Sequence, residues 1–176
     1  MANKRTVVDI HIHIFNQICG RNSHGPTSSL PFGRVKTGGG ELQFMPPYSS
    51  ETSFPAEVIV EWMDFVGISK AVLLQNPLIG IVNDVVAKAI KEYPERFIGT
   101  IQVDPLDPGA VATIKKYSAN PRHNILKFEM SNWGWFKRGL SLLPSFGLAQ
   151  GRGSRGRSGK NTLGKRYPRY LKAFHL

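Results

Sequence analysis

Hydrophobic and polar residues alternate along residues 6–15, and this period of two predicts a β-strand with two unlike faces. One face is apolar and β-branched, as in a strand with helices packed behind it, and is formed by Val8, Ile10, Ile12 and Ile14. The other face carries Asp9, His11 and His13. Two imidazoles two positions apart on one strand face can reach the same metal ion. An amphipathic surface strand with its polar face in water is the alternative.

Downstream of this strand, the apolar pattern predicts three helices that alternate with three further strands. The helices are expected at residues 53–67, 83–93 and 107–117, and the strands at residues 70–75, 97–103 and 124–129. This alternation predicts βαβ units and a parallel sheet. An open doubly wound sheet and a barrel both fit. The first strand ends in His-x-His and not in a glycine-rich turn, so a dinucleotide-binding fingerprint is absent.

Residues 16–52 show neither the strand period nor the helix period of apolar residues, and they are rich in Gly, Pro, Ser and Asn. Such a long connection in a compact domain predicts either a functional loop or a disordered one. It leaves the strand end that carries the histidines and could cover a site there.

The first predicted helix begins at an N-cap, Ser53, and the third begins at another N-cap, Asp107.

The composition is that of a globular protein with a core. The chain has 176 residues, 41% of them hydrophobic, which suits about one domain. Cys19 is the sole cysteine, so an intrachain disulfide is excluded and a reducing compartment is favoured. The sequence shows neither a signal peptide nor an apolar run long enough to span a membrane. We therefore expect a soluble, cytoplasmic protein.

The net charge of +11 is concentrated at one end of the chain. Residues 1–129 contain 13 Lys and Arg against 12 Asp and Glu, whereas residues 130–176 contain 10 basic residues and no acidic one. We divide the chain into a domain at residues 1–135 and a basic, Gly/Arg-rich tail at residues 136–176. The tail is interpreted as the product of a shifted reading frame, as a solvated disordered terminus, or as a segment that binds nucleic acid.

Three motifs resemble the amidohydrolase superfamily, in the amidohydrolase-related branch that includes aminocarboxymuconate-semialdehyde decarboxylase and resorcylate decarboxylases. They are the His11-Ile12-His13 strand end, the Tyr-Pro-Glu-Arg-Phe run at residues 93–97, and Asp104-Pro105 after the third strand. The resemblance covers about residues 6–130. It implies a (β/α)₈ barrel of the TIM type that holds a divalent ion, usually zinc. It also implies that His11 and His13 are metal ligands.

The function implied is that of a metal-dependent hydrolase or carboxy-lyase acting on a carboxylate- or lactone-type small molecule. A barrel of this type takes about 250 residues, and the sequence shows about four β/α units, the N-terminal half, before the tail. The family's ligands on strands five and eight have no counterpart, and His175 is a loose match to its sixth-strand His. We therefore expect the chain alone to bind metal weakly and to have little activity.

The alternative function is a non-catalytic binding module with a basic, nucleic-acid-binding tail. For the enzyme, the expected partners are a small-molecule substrate and, as a homo-oligomer, further copies of the chain, with no membrane partner. Asp9 is a candidate to orient a histidine or a structural residue at the start of the strand. Asp104 is a catalytic candidate whose alternative is a turn-forming Asp-Pro.

The remaining candidate functional residues lie in sequence patterns that favour a structural role at least as much as a functional one. Lys127 and Glu129 share one face of the fourth strand and are expected to form an ion pair, or to bind substrate or ion if they point inward. His24 and His123 lie in polar segments and are expected to be solvated. Trp133 and Trp135 could line a substrate entrance or pack against the domain.

Overall fold

A computed structural model describes residues 6–128. This part of the chain contains two kinds of structure: a parallel sheet with helical crossovers, and a set of short antiparallel strands between its first two strands. In chain order the elements are β1 (Val8–Ile12), β2 (Arg21–Asn22), β3 (Gly25–Pro26), β4 (Ser28–Leu30), β5 (Arg34–Thr37), β6 (Gly40–Gln43), α1 (Ala56–Val66), β7 (Lys70–Leu73), α2 (Asn83–Glu92), β8 (Phe97–Ile101), α3 (Ala110–Ser118) and β9 (Ile125–Leu126).

The parallel sheet has the strand order β1-β7-β8-β9, so each strand lies beside the next parallel strand of the chain. The helices α1, α2 and α3 make the three crossovers. A doubly wound sheet reverses its order at a switch point, and the described sheet has no such reversal. Residues 6–128 therefore form an open, four-stranded parallel sheet in sequential order.

One face of this sheet carries the core. Ala71, Leu73 and Phe97 pack in one cluster with residues of α1 and α2, among them Met63 and Ile90. A second cluster joins the end of the sheet to α3 and contains Ile101, Tyr117 and Leu126. Partner residues in a parallel ladder point to the same face. The three helices therefore cover the same face of the sheet.

The predicted helices are confirmed: α2 begins at Asn83 as predicted, whereas α1 and α3 each begin three residues later than predicted. The helix α1 begins at Ala56 after Pro55 at the N-cap, and Ser53 does not cap it. Gly67 ends this helix in the left-handed conformation, at a φ of 79°, which favours glycine because a side chain there is strained. The Asp107 carboxylate accepts a hydrogen bond from the Gly109 amide at 2.8 Å in the turn that precedes α3. None of the helices in residues 6–128 has the length and apolarity needed to cross a lipid bilayer.

Of the two alternatives predicted for residues 16–52, a functional loop or a disordered one, the disordered one is wrong. The strands β2 and β3 form a short hairpin, and β4, β5 and β6 form a three-stranded antiparallel sheet. Val35 of β5 is fully buried with Ile18 and Ile79, which ties this sheet to the rest of the domain. Gly33, Gly38 and Gly39 lie in the turns that join these strands, Gly33 at a φ of 75°.

The expectation that His123 is solvated is also wrong. Its side chain is only 1% exposed, and its Nε2–H donates to the Thr100 carbonyl at 3.1 Å. The ring lies beside Tyr117, with 5.1 Å between the ring centroids. A turn in which the His123 amide donates to the Asn120 carbonyl carries the side chain inward. His24, by contrast, is exposed in the β2–β3 turn, as predicted.

A substitution at Gly99 tests how closely β8 packs against α2. A Cβ atom at this position would lie 2.3 Å from Val86 Cγ1 and 2.8 Å from Ile90 Cδ1. We expect Gly99→Ala to lower the free energy of unfolding by about 1–3 kcal/mol, the range for overpacking a well-packed core. Urea denaturation measures this change. Gly39→Ala is the matched control, since a Cβ there makes ordinary contacts, and an equal loss in both variants would contradict the packing at Gly99.

His123 is expected to make stability depend on pH. Burial lowers the pKa of His123 below its ordinary value of 6.5, so at mildly acidic pH the unfolded chain binds a proton that the folded chain excludes. The contribution of neutral His123 is therefore present above pH 6.5 and is lost as the pH falls below it. His123→Gln should flatten the fall in unfolding free energy between neutral and mildly acidic pH. An unchanged slope in urea denaturation would contradict this.

Candidate metal site and cavity

A β-bulge in β1 sets the direction of the side chains at the candidate site. Asp9 pairs with Ala71 and Ile12 pairs with Leu73, so three steps along β1 match two steps along β7. Ala71 and Leu73 both belong to the helix-covered core, and Asp9 and Ile12 therefore share that face. The strict alternation predicted for β1 is wrong at this point.

The bulge also explains why the apolar face of β1 is only partly buried. Ile14 is buried in the main core and Ile12 packs against that core, whereas Val8 and Ile10 are exposed. The sequence predicted that helices pack against all four of these residues. This is confirmed only for Ile12 and Ile14. The extra residue puts Ile10 out of phase with Ile12.

His11 and His13 form a close pair of imidazoles. Their Nε2 atoms are 3.2 Å apart and their rings are nearly perpendicular, at 81°. His13 Nδ1 lies 2.9 Å from the Leu74 carbonyl oxygen, to which it donates. The Nε2 atom of His13 is then an acceptor, and His11 Nε2–H is its donor. The carbonyl of Leu74 therefore fixes the tautomer and the orientation of His13.

This geometry fits two ligands of one metal ion. Zinc–imidazole bonds of about 2.0–2.1 Å at a tetrahedral angle place the two nitrogens about 3.3–3.4 Å apart. The observed 3.2 Å between the Nε2 atoms is close to this value. A hydrogen bond from the distal ring nitrogen to a carbonyl is the usual support of a metal-bound histidine. Within residues 6–128, no group of three or more His, Cys, Asp or Glu residues converges on one point.

The carboxylates of the two acidic candidates, Asp9 and Asp104, accept hydrogen bonds from backbone amides. The Asp9 carboxylate accepts a hydrogen bond from the backbone amide of His11 at 2.8 Å, which supports the bulge. The Asp104 carboxylate accepts from the Leu106 amide at 2.8 Å, the turn-forming arrangement that was its alternative interpretation. His175, Glu129, Trp133 and Trp135 lie outside the described residues.

A cavity of about 390 Å³ opens beside the imidazole pair. Its polar wall is formed by β1 and the residue that follows it, through Asp9, His11 and His13. Its apolar wall comes from β1, from α1 with the turn that follows it, and from residues on either side of the antiparallel strands. These apolar residues are Ile12, Phe15, Phe44, Met45, Phe54, Ile59, Trp62, Met63, Val66 and Ile68.

The segment at residues 16–52 contributes to this cavity, as its departure from the histidine strand suggested. The Gly33 carbonyl accepts from the amides of Phe44 and Met45 at 2.9 and 3.0 Å, which holds both residues in place after β6. Phe15 and Phe54 exchange two backbone hydrogen bonds and close the segment. The sequence analysis did not identify these wall residues, because isolated aromatic residues in an aperiodic segment carry no positional signal.

A second polar cluster lies at the carboxyl ends of the neighbouring strands. Lys127 Nζ donates to the Gln75 carbonyl at 2.9 Å, and the Gln75 side chain donates to Asn83 Oδ1 at 2.7 Å. The side-chain amide of Asn83 donates to the Gln102 carbonyl. Gln102 Oε1 is buried, with no hydrogen-bond partner among the described atoms. Glu129, the expected partner of Lys127, is outside the described residues.

Comparisons with known proteins find similarity among solved structures. No family model matches the sequence, and no curated protein matches it. Among solved structures, the chain is similar to a probable 2-pyrone-4,6-dicarboxylic acid hydrolase from Acinetobacter baumannii, crystallised with citric acid bound. The identity is 16% and the TM-score is 0.43, over 82% of this chain and 48% of that chain. The chain thus spans about half the length of that protein.

Substitutions at Asp9 distinguish its backbone contact from a role of its charge. Asp9→Ala removes the acceptor for the His11 amide and should lower the free energy of unfolding by about 0.5–1.5 kcal/mol. Asp9→Asn keeps an oxygen in the same position and should change it little. Urea denaturation measures both variants. Equal losses in the two would show that the negative charge, and not the hydrogen bond to His11, is what the strand requires.

Proposed function

We propose that this chain is a metal-dependent hydrolase or carboxy-lyase of the amidohydrolase-related family that acts on a carboxylate- or lactone-type small molecule. His11 and His13 are two ligands of a divalent ion, with zinc as the first choice. The observation that carries the proposal is the 3.2 Å separation of the two Nε2 atoms beside a cavity. The motifs that resemble the family support it.

The residues of the chain have separable roles in this proposal. Leu74 holds His13 through its carbonyl oxygen, and Asp9 holds the backbone of His11. Both nitrogens are thereby positioned before an ion arrives, which reduces the ordering cost of binding. When bound, the ion supplies Lewis-acid chemistry, polarising a substrate oxygen or acidifying a water molecule.

The apolar wall suits a small substrate with one charged end. Phe44, Phe54 and Trp62 surround the cavity with aromatic surface, which binds the body of a small molecule and excludes water. The polar groups that line the cavity belong to Asp9, His11 and His13. A carboxylate or lactone oxygen would therefore be directed toward the imidazole pair.

Two ligands make a weak site. Catalytic zinc sites have three protein ligands and one open position, and the described residues contribute two. Asp104 is engaged in its own turn, and His175 remains a candidate from the sequence alone. We therefore propose that the 176-residue chain binds metal weakly and turns over substrate slowly when alone.

Metal titration tests the assignment of the ligands. Chelator-treated protein is titrated with Zn²⁺ by calorimetry and with Co²⁺ by visible absorption, for wild type, His11→Ala and His13→Ala. We expect each substitution to weaken binding at least about tenfold, because even the loss of an outer-shell partner costs 10–100-fold. His24→Ala, in the exposed turn, is the matched control and should bind as wild type does. Equal affinity in wild type and both site variants would refute the assignment.

Turnover tests the reaction class. Zinc-loaded protein is incubated with a 2-carboxy-aromatic acid and with a lactone, and CO₂ release and ring opening are followed separately. A slow rate that disappears in His13→Ala, but not in His24→Ala, is the expected result. Stoichiometric, tight zinc together with rapid turnover would contradict the expectation of a weak site. A rate equal in wild type and His13→Ala would contradict the proposed function.

A further inference from the structure

The helix-free face of the described sheet is apolar and partly open. Parallel sheets are normally covered on both faces, yet here α1, α2 and α3 cover the same one. Val72 pairs with Ile98 on the opposite face, and Ile98 is 37% exposed. In residues 6–128, no element is packed against this face in the core clusters.

The β1 edge of the sheet is the more exposed part of this surface. Within the described residues β1 pairs with β7 alone, and Ile10 is 67% exposed. The apolar surface continues onto α1, where Trp62 is 53% and Phe65 is 85% exposed, with their rings in edge-to-face contact. An exposed, apolar edge strand is a site for pairing with another strand. The cavity beside His11 opens at this same edge.

The opposite edge of the sheet is complementary to this one. In the described residues β9 pairs with β8 alone, and all four strands are parallel. A β9 edge placed beside a β1 edge therefore continues the parallel ladder and keeps the helices on the outer face. Four such strands are half of the eight that close a parallel barrel. In a dimer with a two-fold axis parallel to the strands, β1 of each copy would lie beside β9 of the other.

We propose that two copies of this chain associate through these edges into a closed, eight-stranded parallel barrel. The second copy supplies strands of matching direction, with their helices on the same face of the sheet. The association buries Ile10 inside the barrel and Phe65 against the helices of the second copy. It also places the carboxyl end of the second copy's β9 beside the cavity. The proposal stands whether or not the site binds metal.

Electrostatics adds a condition to this association. Each copy has a net charge of +11, so two copies repel each other at low ionic strength. Salt screens this repulsion over about 10 Å at 0.1 M. We expect the dimer to tighten as salt is raised.

Sedimentation equilibrium of the full 176-residue chain, over a wide concentration range at low and high salt, tests the proposal. Wild type should reach twice the monomer mass and go no further. Ile10→Lys should weaken dimerisation about a hundredfold or more, because the closed barrel would bury an unpaired ammonium group. Leu106→Lys is the matched control, since Leu106 is an exposed aliphatic residue after the central strand β8, and it should dimerise as wild type does.

Folding of the variants is checked by far-UV circular dichroism and thermal melting. Because Ile10 is exposed in the single chain, Ile10→Lys should leave the monomer folded. Phe65→Lys places a charge on the same surface, at α1, and provides a second, independent test of the contact. A wild-type chain that stays monomeric at both salt concentrations would overturn the proposal. So would growth into open filaments, which edges that fail to close produce, or an Ile10→Lys and a Phe65→Lys variant that dimerise as wild type does.

Discussion

The ladder between β1 and β7 is the contact on which the candidate site depends. It pairs Asp9 with Ala71 and then, after the bulge, Ile12 with Leu73. The Leu74 amide donates to the Ile12 carbonyl at 2.7 Å, and the Leu74 carbonyl accepts from His13. One residue of the neighbouring strand thus continues the sheet and orients an imidazole at the same time. Without this ladder the two histidines would have no fixed separation.

The winding of the sheet explains where the cavity lies. Each crossover returns to the neighbouring strand on the same side, so the helices accumulate on one face and the other stays open in the described residues. The strand β1, as the first, stands at an edge with α1 beside it. The antiparallel strands inserted between β1 and α1 then place Phe44 and Met45 in the wall of the cavity that the histidines also line. The cavity is the space between an edge strand, its first helix and this insertion.

Periodicity predicted the regular elements, because α1, α2 and the strands β7 and β8 bury one face or one stripe. It did not predict the strands within residues 16–52, which are too short for a period to show and are joined by glycine turns. It predicted the histidine pair from a spacing of two, yet placed Asp9 on the same face. The bulge adds one residue without changing the alternation of residue types, so the sequence carries no sign of it. His123 was misjudged because its polar neighbours hide a turn that carries it inward.

The imidazole pair and the open edge of the described sheet lie at the same place in the fold, on and directly after β1. A strand at an edge presents its carboxyl end to ligands from one neighbour only, and here that neighbour, β7, offers backbone carbonyls and Gln75. In the proposed metal site, a third protein ligand would come from the other side of β1, where the described residues have no strand. If association fills that side, linkage requires that metal binding and dimerisation strengthen each other by the same factor. The metal affinity of His11 and His13 then becomes a property of the assembled barrel and not of the single chain.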